Sequence, residues 1–265
     1  MTRLVLVLNK MGMSKASQII LVEKNPNVFS ALLDRVEEDW EGENIRLVYG
    51  DIRKLQFDVD FDLIVSELLG SFGDNELAPE CLLPASRFLK KGGVMIPQSI
   101  TSYLQPVECP KSYAIYGGMK ITSEETCRPY IIHTYSALPL AAPQSLFQYD
   151  FDSPDMEQTL CRRGKLEFVA QRSASLHGFM GYFRAVLAHN VALGIHPDDH
   201  SPGMQSWFPI YFPTIMREVG KDQRITVEFC RDFDKESVWY QWRIGQQDEW
   251  YNAGGRYYKI YKVAD

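Results

Sequence analysis

The sequence predicts an α/β region over residues 1–97 followed by a mainly β region over 98–265: a partial, mostly parallel sheet covered by helices, then an antiparallel β-barrel or sandwich. Three observations lead there. In the first hundred residues, short apolar runs alternate with stripes at helical spacing. After Pro97 the chain changes to short aromatic and β-branched segments separated by turn residues. At 265 residues and 45% hydrophobic, it can bury a substantial core as one large domain or two smaller ones.

The elements follow in order. IILV, residues 19–22, is a β-rich run that ends in Glu23. Asn25 and Pro26 then suit an N-cap and a first helical turn. Val28, Leu32, Val36 and Trp40 recur at four-residue spacing and so place one stripe along a helix. NIRLVYG is a second strand candidate with Asp51 just beyond it, and FDLIVS is a third, ending at Glu67. The apolar FDLIV run reads as a strand meant for burial. Pro79 can begin a helix whose Leu82, Ala85, Phe88 and Leu89 face inward, with Gly92 and Gly93 ending it. GGVMIP opens another strand. Beyond it TSYLQPV, KLEFVA, HGFMGYFRAVLA, NVALGI, QRITVEFC, SVWYQWRI and GRYYKI read as the β-rich half. Residues 110–160 are expected to form a projection with a helix or irregular structure.

Composition excludes some functions. A net charge of −6 disfavours broad non-specific binding to nucleic acid or anionic membranes. The opening MTRLVLVLNKMGMS is too short and too interrupted to span a bilayer. Five scattered cysteines with no CxxC pair read as free thiols in a reducing compartment. The five histidines lack a compact set of supporting ligands, so no metal is expected. In the segment from His196 to His200, HPDDH, loop capping is the plainer reading. Strand packing accounts for HGFMGYF better than a cofactor-binding role.

Three acids, Glu23, Asp51 and Glu67, close three strand candidates, and ligands of parallel sheets gather beyond such carboxyl ends. Asp51 suits the two ribose hydroxyls of an adenosine-containing ligand, with Ile52 against the adenine. The plain alternative is that Asp51 caps a turn and Ile52 fills a core. Glu67 and Glu76 stand nine residues apart in SELLGSFGDNEL. Gly70, Gly73 and Asn75 favour a sharply folded connection that returns Glu76 toward Glu67. Without that return, one acid is a strand-end cap and the other an exposed loop residue.

VEKNPN, SELLGSFGDNEL followed by PEC, HGFMGYF and HSPGMQSWFPI together resemble the catalytic region of the protein arginine N-methyltransferase 5 family, the type II enzymes that form symmetric dimethylarginine. The resemblance runs through nearly the whole chain. It implies a partial Rossmann-like methyltransferase sheet over 1–97, followed by a substrate-binding and oligomerisation β domain over 98–265. It implies S-adenosylmethionine as cofactor, held by Glu23, Asp51, Ile52 and Glu67, and no metal. Glu67 and Glu76 match the two essential glutamates, and Ser206, Trp207 and Phe208 match the wall beside the substrate arginine. Arginine-containing peptides, histone tails or Gly/Arg-rich RNA-processing proteins are the implied partners, with a homodimer, no direct nucleic acid and no membrane, in cytoplasm and nucleus.

Two departures matter. The first strand and glycine-rich cofactor turn of the family are expected upstream of the matching region. Here only Gly12 precedes SQIILVEKNP, and residues 4–13 align with the helix after that turn, although LVLVL reads locally as β. The amino-terminal barrel that recruits a WD-repeat partner also lies upstream, which puts that contact in doubt. The alternative function is a catalytically inactive fragment or paralogue acting as a binding or assembly module.

Overall fold

A computed structural model describes residues 18–40, 44–116, 123–133, 136–151, 160–246 and 248–262. The expectations about residues 4–13 and Gly12 lie outside the described residues, as does part of the 110–160 projection. The chain divides into two compact units, Met1–Asp58 and Val59–Asp265.

In the first unit, β1 (Ile19–Glu23), α1 (Pro26–Glu38) and β2 (Ile45–Tyr49) form one β-α-β crossover. The strands pair in parallel, with Ile19 opposite Ile45 and Glu23 opposite Tyr49. Asn25 caps α1 as its sequence position implies: its Oδ1 accepts the Asn27 and Val28 backbone N–H groups at 3.0 and 3.4 Å. The expected stripe is only partly covered. Leu32 and Val36 are half-buried, Val28 is exposed, and Trp40 is buried but lies past the helix end.

The second unit opens with another crossover, β3 (Phe61–Val65), α2 (Ala78–Ala85) and β4 (Leu89–Ile96), whose strands pair in parallel. Pro79 stands in the first turn of α2, and Leu82, Ala85 and Phe88 are buried as expected. The helix stops earlier than its sequence suggests. It carries Pro84, passes through a short 3₁₀ turn at Ser86–Phe88, and Leu89 already belongs to β4. Gly92 and Gly93 therefore sit inside a strand rather than terminating a helix. Nor is β3 wholly buried, since Leu63 and Val65 remain exposed.

The rest is antiparallel. After β5 (Ser99–Glu108), α3 (Pro110–Tyr116) leads to β6 (Tyr130–Ile131), β7 (Leu138–Pro139) and β8 (Gln144–Asp150). Then follow β9 (Arg162–Val169), β10 (Ala174–Ala188), β11 (Val191–Gly194), β12 (Ile210–Val219), β13 (Arg224–Phe233), β14 (Ser237–Ile244) and β15 (Ile260–Tyr261). One sheet runs β6-β12-β10-β5-β7, with β11 beside β10 and β8 beside β5; the other runs β15-β14-β13-β9.

Alternate residues of the two sheets meet in an aromatic core. Phe212 lies 4.9 Å from Phe229 and 5.3 Å from Trp242, and Phe168 packs on Phe179 at 6.3 Å. Of the barrel or sandwich expected from the sequence, the described residues show facing open sheets and no closed barrel. HGFMGYF lies within β10, with every residue buried.

Candidate functional site

The loop after β3 folds back on itself. The ladder runs one residue past the strand, with the Ser66 N–H donating to the Ile96 carbonyl at 2.8 Å. Gly70 and Gly73 then pair across a tight turn, the Gly73 N–H donating to the Gly70 carbonyl at 2.8 Å. Asn75 Oδ1 accepts the Phe72 N–H at 2.6 Å and fills the space where any side chain on residue 70 would lie. Gly73 has φ +82°, where a Cβ is disfavoured, and a Cβ there would sit 2.4 Å from Ile100 Cγ2. Two glycines and one asparagine thus reverse the chain and bring Glu76 back toward Glu67.

The carboxyls register that return. Burial raises the Glu67 pKa above its ordinary value, against the pull of a hydrogen bond from the Leu69 backbone. Burial also raises Glu76, and the negative charge of Glu67 raises it further. Both side chains remain exposed to solvent. A cation entering between them would relieve both effects.

Apolar side chains tether the loop to the sandwich. Phe72 is fully buried against Phe212, Phe229 and Tyr240, at 5.3, 5.9 and 5.6 Å between ring centroids. Gly181 of β10 makes room for it, because a Cβ there would meet the Phe72 ring at 2.6 Å. The Ser102 hydroxyl donates to the Phe72 carbonyl at 2.7 Å.

Trp207 is drawn to the same loop. Its indole Nε1 donates to the Leu69 carbonyl at 2.6 Å, and its ring meets Phe183 edge-on at 5.6 Å. The structure therefore brings Trp207 beside the double-glutamate turn. Phe208, half-buried, contacts the His133 ring at 4.8 Å, and Ser206 is exposed.

Sequence reasoning missed the loop's ionic anchor. Asp74 is fully buried and accepts hydrogen bonds from Tyr149 at 3.0 Å and from Tyr240, while Arg231 Nε lies 3.0 Å from its Oδ2. The other edge of Arg231 meets Glu80 at 2.8 and 2.9 Å. Burial disfavours the charge on Arg231, but Asp74, Tyr149 and Glu80 hold its pKa far above the ordinary value. Asp74 and Glu80 look like ordinary turn and first-turn acids. The one available sequence signal was Arg231 falling in step with Ile225, Val227 and Phe229, the alternate core-facing residues of the same strand.

The nucleoside-type acids belong to the first unit. Glu23 Oε1 accepts the Asn25 N–H at 2.7 Å. Arg53 holds Asp51 with its backbone N–H at 3.0 Å and with both Nε and Nη2, and Lys24 stands 3.6 Å away. The Arg53 hydrogen bonds outweigh burial and hold the Asp51 pKa far below the usual range. Ile52 is half-buried. Acids at or just past the ends of adjacent parallel strands fit the hydroxyl donors of a ribose, since each carboxylate oxygen can accept more than one hydrogen bond. Asp51 also caps the turn that follows it, so the plain alternative holds for its present bonds.

In HPDDH, His196 Nδ1 accepts the Asp198 N–H at 3.2 Å, and Asp199 pairs with Arg184 at 2.5 Å. Among the described residues, no group of three or more His, Cys, Asp or Glu is placed to hold a metal ion. Nor is any described helix long and apolar enough to cross a membrane.

Two family profiles divide nearly all of the chain. One, described as PRMT5 arginine-N-methyltransferase, matches residues 2–96; the other, the PRMT5 oligomerisation domain, matches residues 99–258. The chain belongs to the protein arginine N-methyltransferase 5 family. Curated relatives named protein arginine N-methyltransferase 5 include those of Oryza sativa subsp. indica, 39% identical over 253 residues, and Xenopus laevis, 38% identical over 256. Each alignment covers 92% of this chain, but only 38% and 39% of the relative. The chain thus spans about two-fifths of the length of these family members. A solved complex, the Trypanosoma brucei PRMT1 enzyme-prozyme heterotetramer with AdoHcy, is similar in fold alone. It has a TM-score of 0.74 at 14% identity, covering 93% of this chain and 82% of that one.

Proposed function

We propose that this chain transfers methyl groups from S-adenosylmethionine to the guanidinium nitrogens of protein arginines, giving monomethylarginine and symmetric dimethylarginine. One observation carries the reading: a hairpin held by its own glycines and asparagine sets two carboxyls within electrostatic reach, with Trp207 hydrogen-bonded to the same hairpin.

Arginine remains protonated in water and offers five donors in a rigid plane. Glu67 and Glu76 grip different edges of that plane, and their charge offsets the cost of desolvating it. The Trp207 indole supports the face of the guanidinium by a cation–π contact, with Ser206 and Phe208 bordering it. Bound S-adenosylmethionine supplies a methyl group activated by a positive sulfur. Glu23, Asp51 and Ile52 would hold its ribose and adenine. Orientation rather than strong base chemistry dominates the demand on the protein. The proton released from the methylated nitrogen passes to one of the two glutamates, whose raised pKa values suit them to receive it.

The inherited expectations belong to the same proposal. Residues 1–97 serve as the methyltransferase domain and 98–265 as the substrate-binding and oligomerisation domain. Substrates are arginines in histone tails or Gly/Arg-rich RNA-processing proteins, the assembly is a homodimer, and the protein works in cytoplasm and nucleus. Purified chain with S-adenosylmethionine should methylate a Gly/Arg-rich peptide, and both E67Q and E76Q should abolish transfer. No transfer by folded wild-type chain overturns the reading.

The Arg53 clamp on Asp51 favours a second reading, a binding or assembly module, because it competes with ribose for that carboxylate. Calorimetry separates the two. Peptide binding without S-adenosylmethionine binding supports the module, and tight cofactor binding refutes it.

A further inference from the structure

We propose that Asp74 is a positioning residue: held by Arg231 and Tyr240, it fixes the limb of the hairpin that presents Glu76 to Glu67. The inference rests on the guanidinium-holding role proposed for that pair.

Asp74 stands two residues before Glu76, and Glu80 stands four residues after it, in the first turn of α2. One guanidinium joins them. Arg231 of β13 approaches the Asp74 carboxylate through Nε at 3.0 Å and donates from Nη2 to the Asp74 carbonyl at 3.3 Å. It also meets both Glu80 oxygens. Glu76 is thereby bracketed by two anchors on a single rigid group, while its own side chain remains exposed. Between them Leu77 adopts φ +66°, a left-handed conformation that a leucine keeps only where its neighbours are fixed. Tyr149 from β8 and Tyr240 from β14 complete the cage around Asp74.

Stability alone does not call for this arrangement. The surrounding core is aromatic and apolar, and well-packed apolar residues commonly stabilise such a position as well as a buried ion cluster does. What an ionic cage adds is directional: each bond specifies where one backbone segment must lie. The cage grips the descending limb, and Trp207 grips the ascending limb at Leu69, so contacts from outside the hairpin fix the separation of Glu67 and Glu76 that its glycines and asparagine first make possible.

The test is the coupling between the two glutamates. NMR titration of ¹³C-labelled glutamate carboxyls gives the Glu76 pKa with and without E67Q, in wild-type, D74N and Y240F backgrounds. Y240F deletes one hydroxyl and keeps the ring, so it carries the test if D74N fails to fold by near-UV circular dichroism. In the wild-type background E67Q should lower the Glu76 pKa. In the anchor variants that effect should shrink to less than half, and calorimetric affinity for an arginine peptide should weaken roughly tenfold. An undiminished E67Q effect in folded Y240F refutes the positioning role, whatever happens to melting temperature. Coupling that shrinks as expected in folded Y240F, in a chain without peptide affinity, refutes the guanidinium reading and supports the anchor.

Discussion

Gly73 and Gly92 offer a matched pair of perturbations, because both have φ +82° but their surroundings differ. A Cβ on Gly92 meets nothing within 4 Å, whereas on Gly73 it would lie 2.4 Å from Ile100 Cγ2 and 3.3 Å from Phe183 Cβ. Alanine at either position carries the left-handed backbone cost of about 1–2 kcal/mol. At Gly73 the methyl also overpacks a closed core, adding about 1–3 kcal/mol. The expected losses are therefore about 1–2 kcal/mol for G92A and about 2–5 kcal/mol for G73A. In a domain of this size each kcal/mol lowers Tm by roughly 2–4 °C. Urea denaturation of wild type and both variants measures the losses directly. G73A should also lower affinity for arginine peptides, since the turn sets the position of Glu76, and G92A should not. A G73A stability loss no larger than that of G92A refutes the packing argument.

The glutamate pair predicts a pH dependence. Both folded-state pKa values lie above the ordinary 4.5, so the neutral forms favour the folded chain. That contribution is complete below about pH 4.5 and is lost as the pH rises through the folded values. E76Q should therefore match or exceed wild-type stability in urea denaturation at pH 7.5, by less than about 1 kcal/mol because both side chains are exposed. A clear loss of stability in E76Q at that pH contradicts the assignment. In the core, Phe229→Ala removes a fully buried ring that meets Phe72, Phe147, Phe212, Tyr240 and Trp242. It should cost about 3–5 kcal/mol in chemical denaturation. A loss below about 1 kcal/mol would show that the two sheets do not pack through this ring.

The strands of both crossovers were legible because their signals are local: apolar runs, and the Asn25–Pro26 start of α1. Two long strands were not. IYFPTIMREV carries Pro213, which argues against a strand until Gly178 is found opposite it, beside a register shift in β10. QSLFQYD was hidden in a region without clear punctuation, yet it forms β8 along β5. The end of α2 was misplaced because Gly92 and Gly93 outweighed the nearer Pro84.

The sequence by itself determined the strands of the two crossovers, the turn chemistry of SELLGSFGDNEL and the family, since each is written in neighbouring residues. Only the tertiary structure decided what holds the turn in place. Asp74 and Arg231 are 157 residues apart. Their pairing depends on which strands meet and which face each side chain takes, and no local pattern encodes that choice. The same holds for Phe72 against Gly181 and for Trp207 against Leu69. Residue types announce which chemistry is available, and packing selects the partners that aim it.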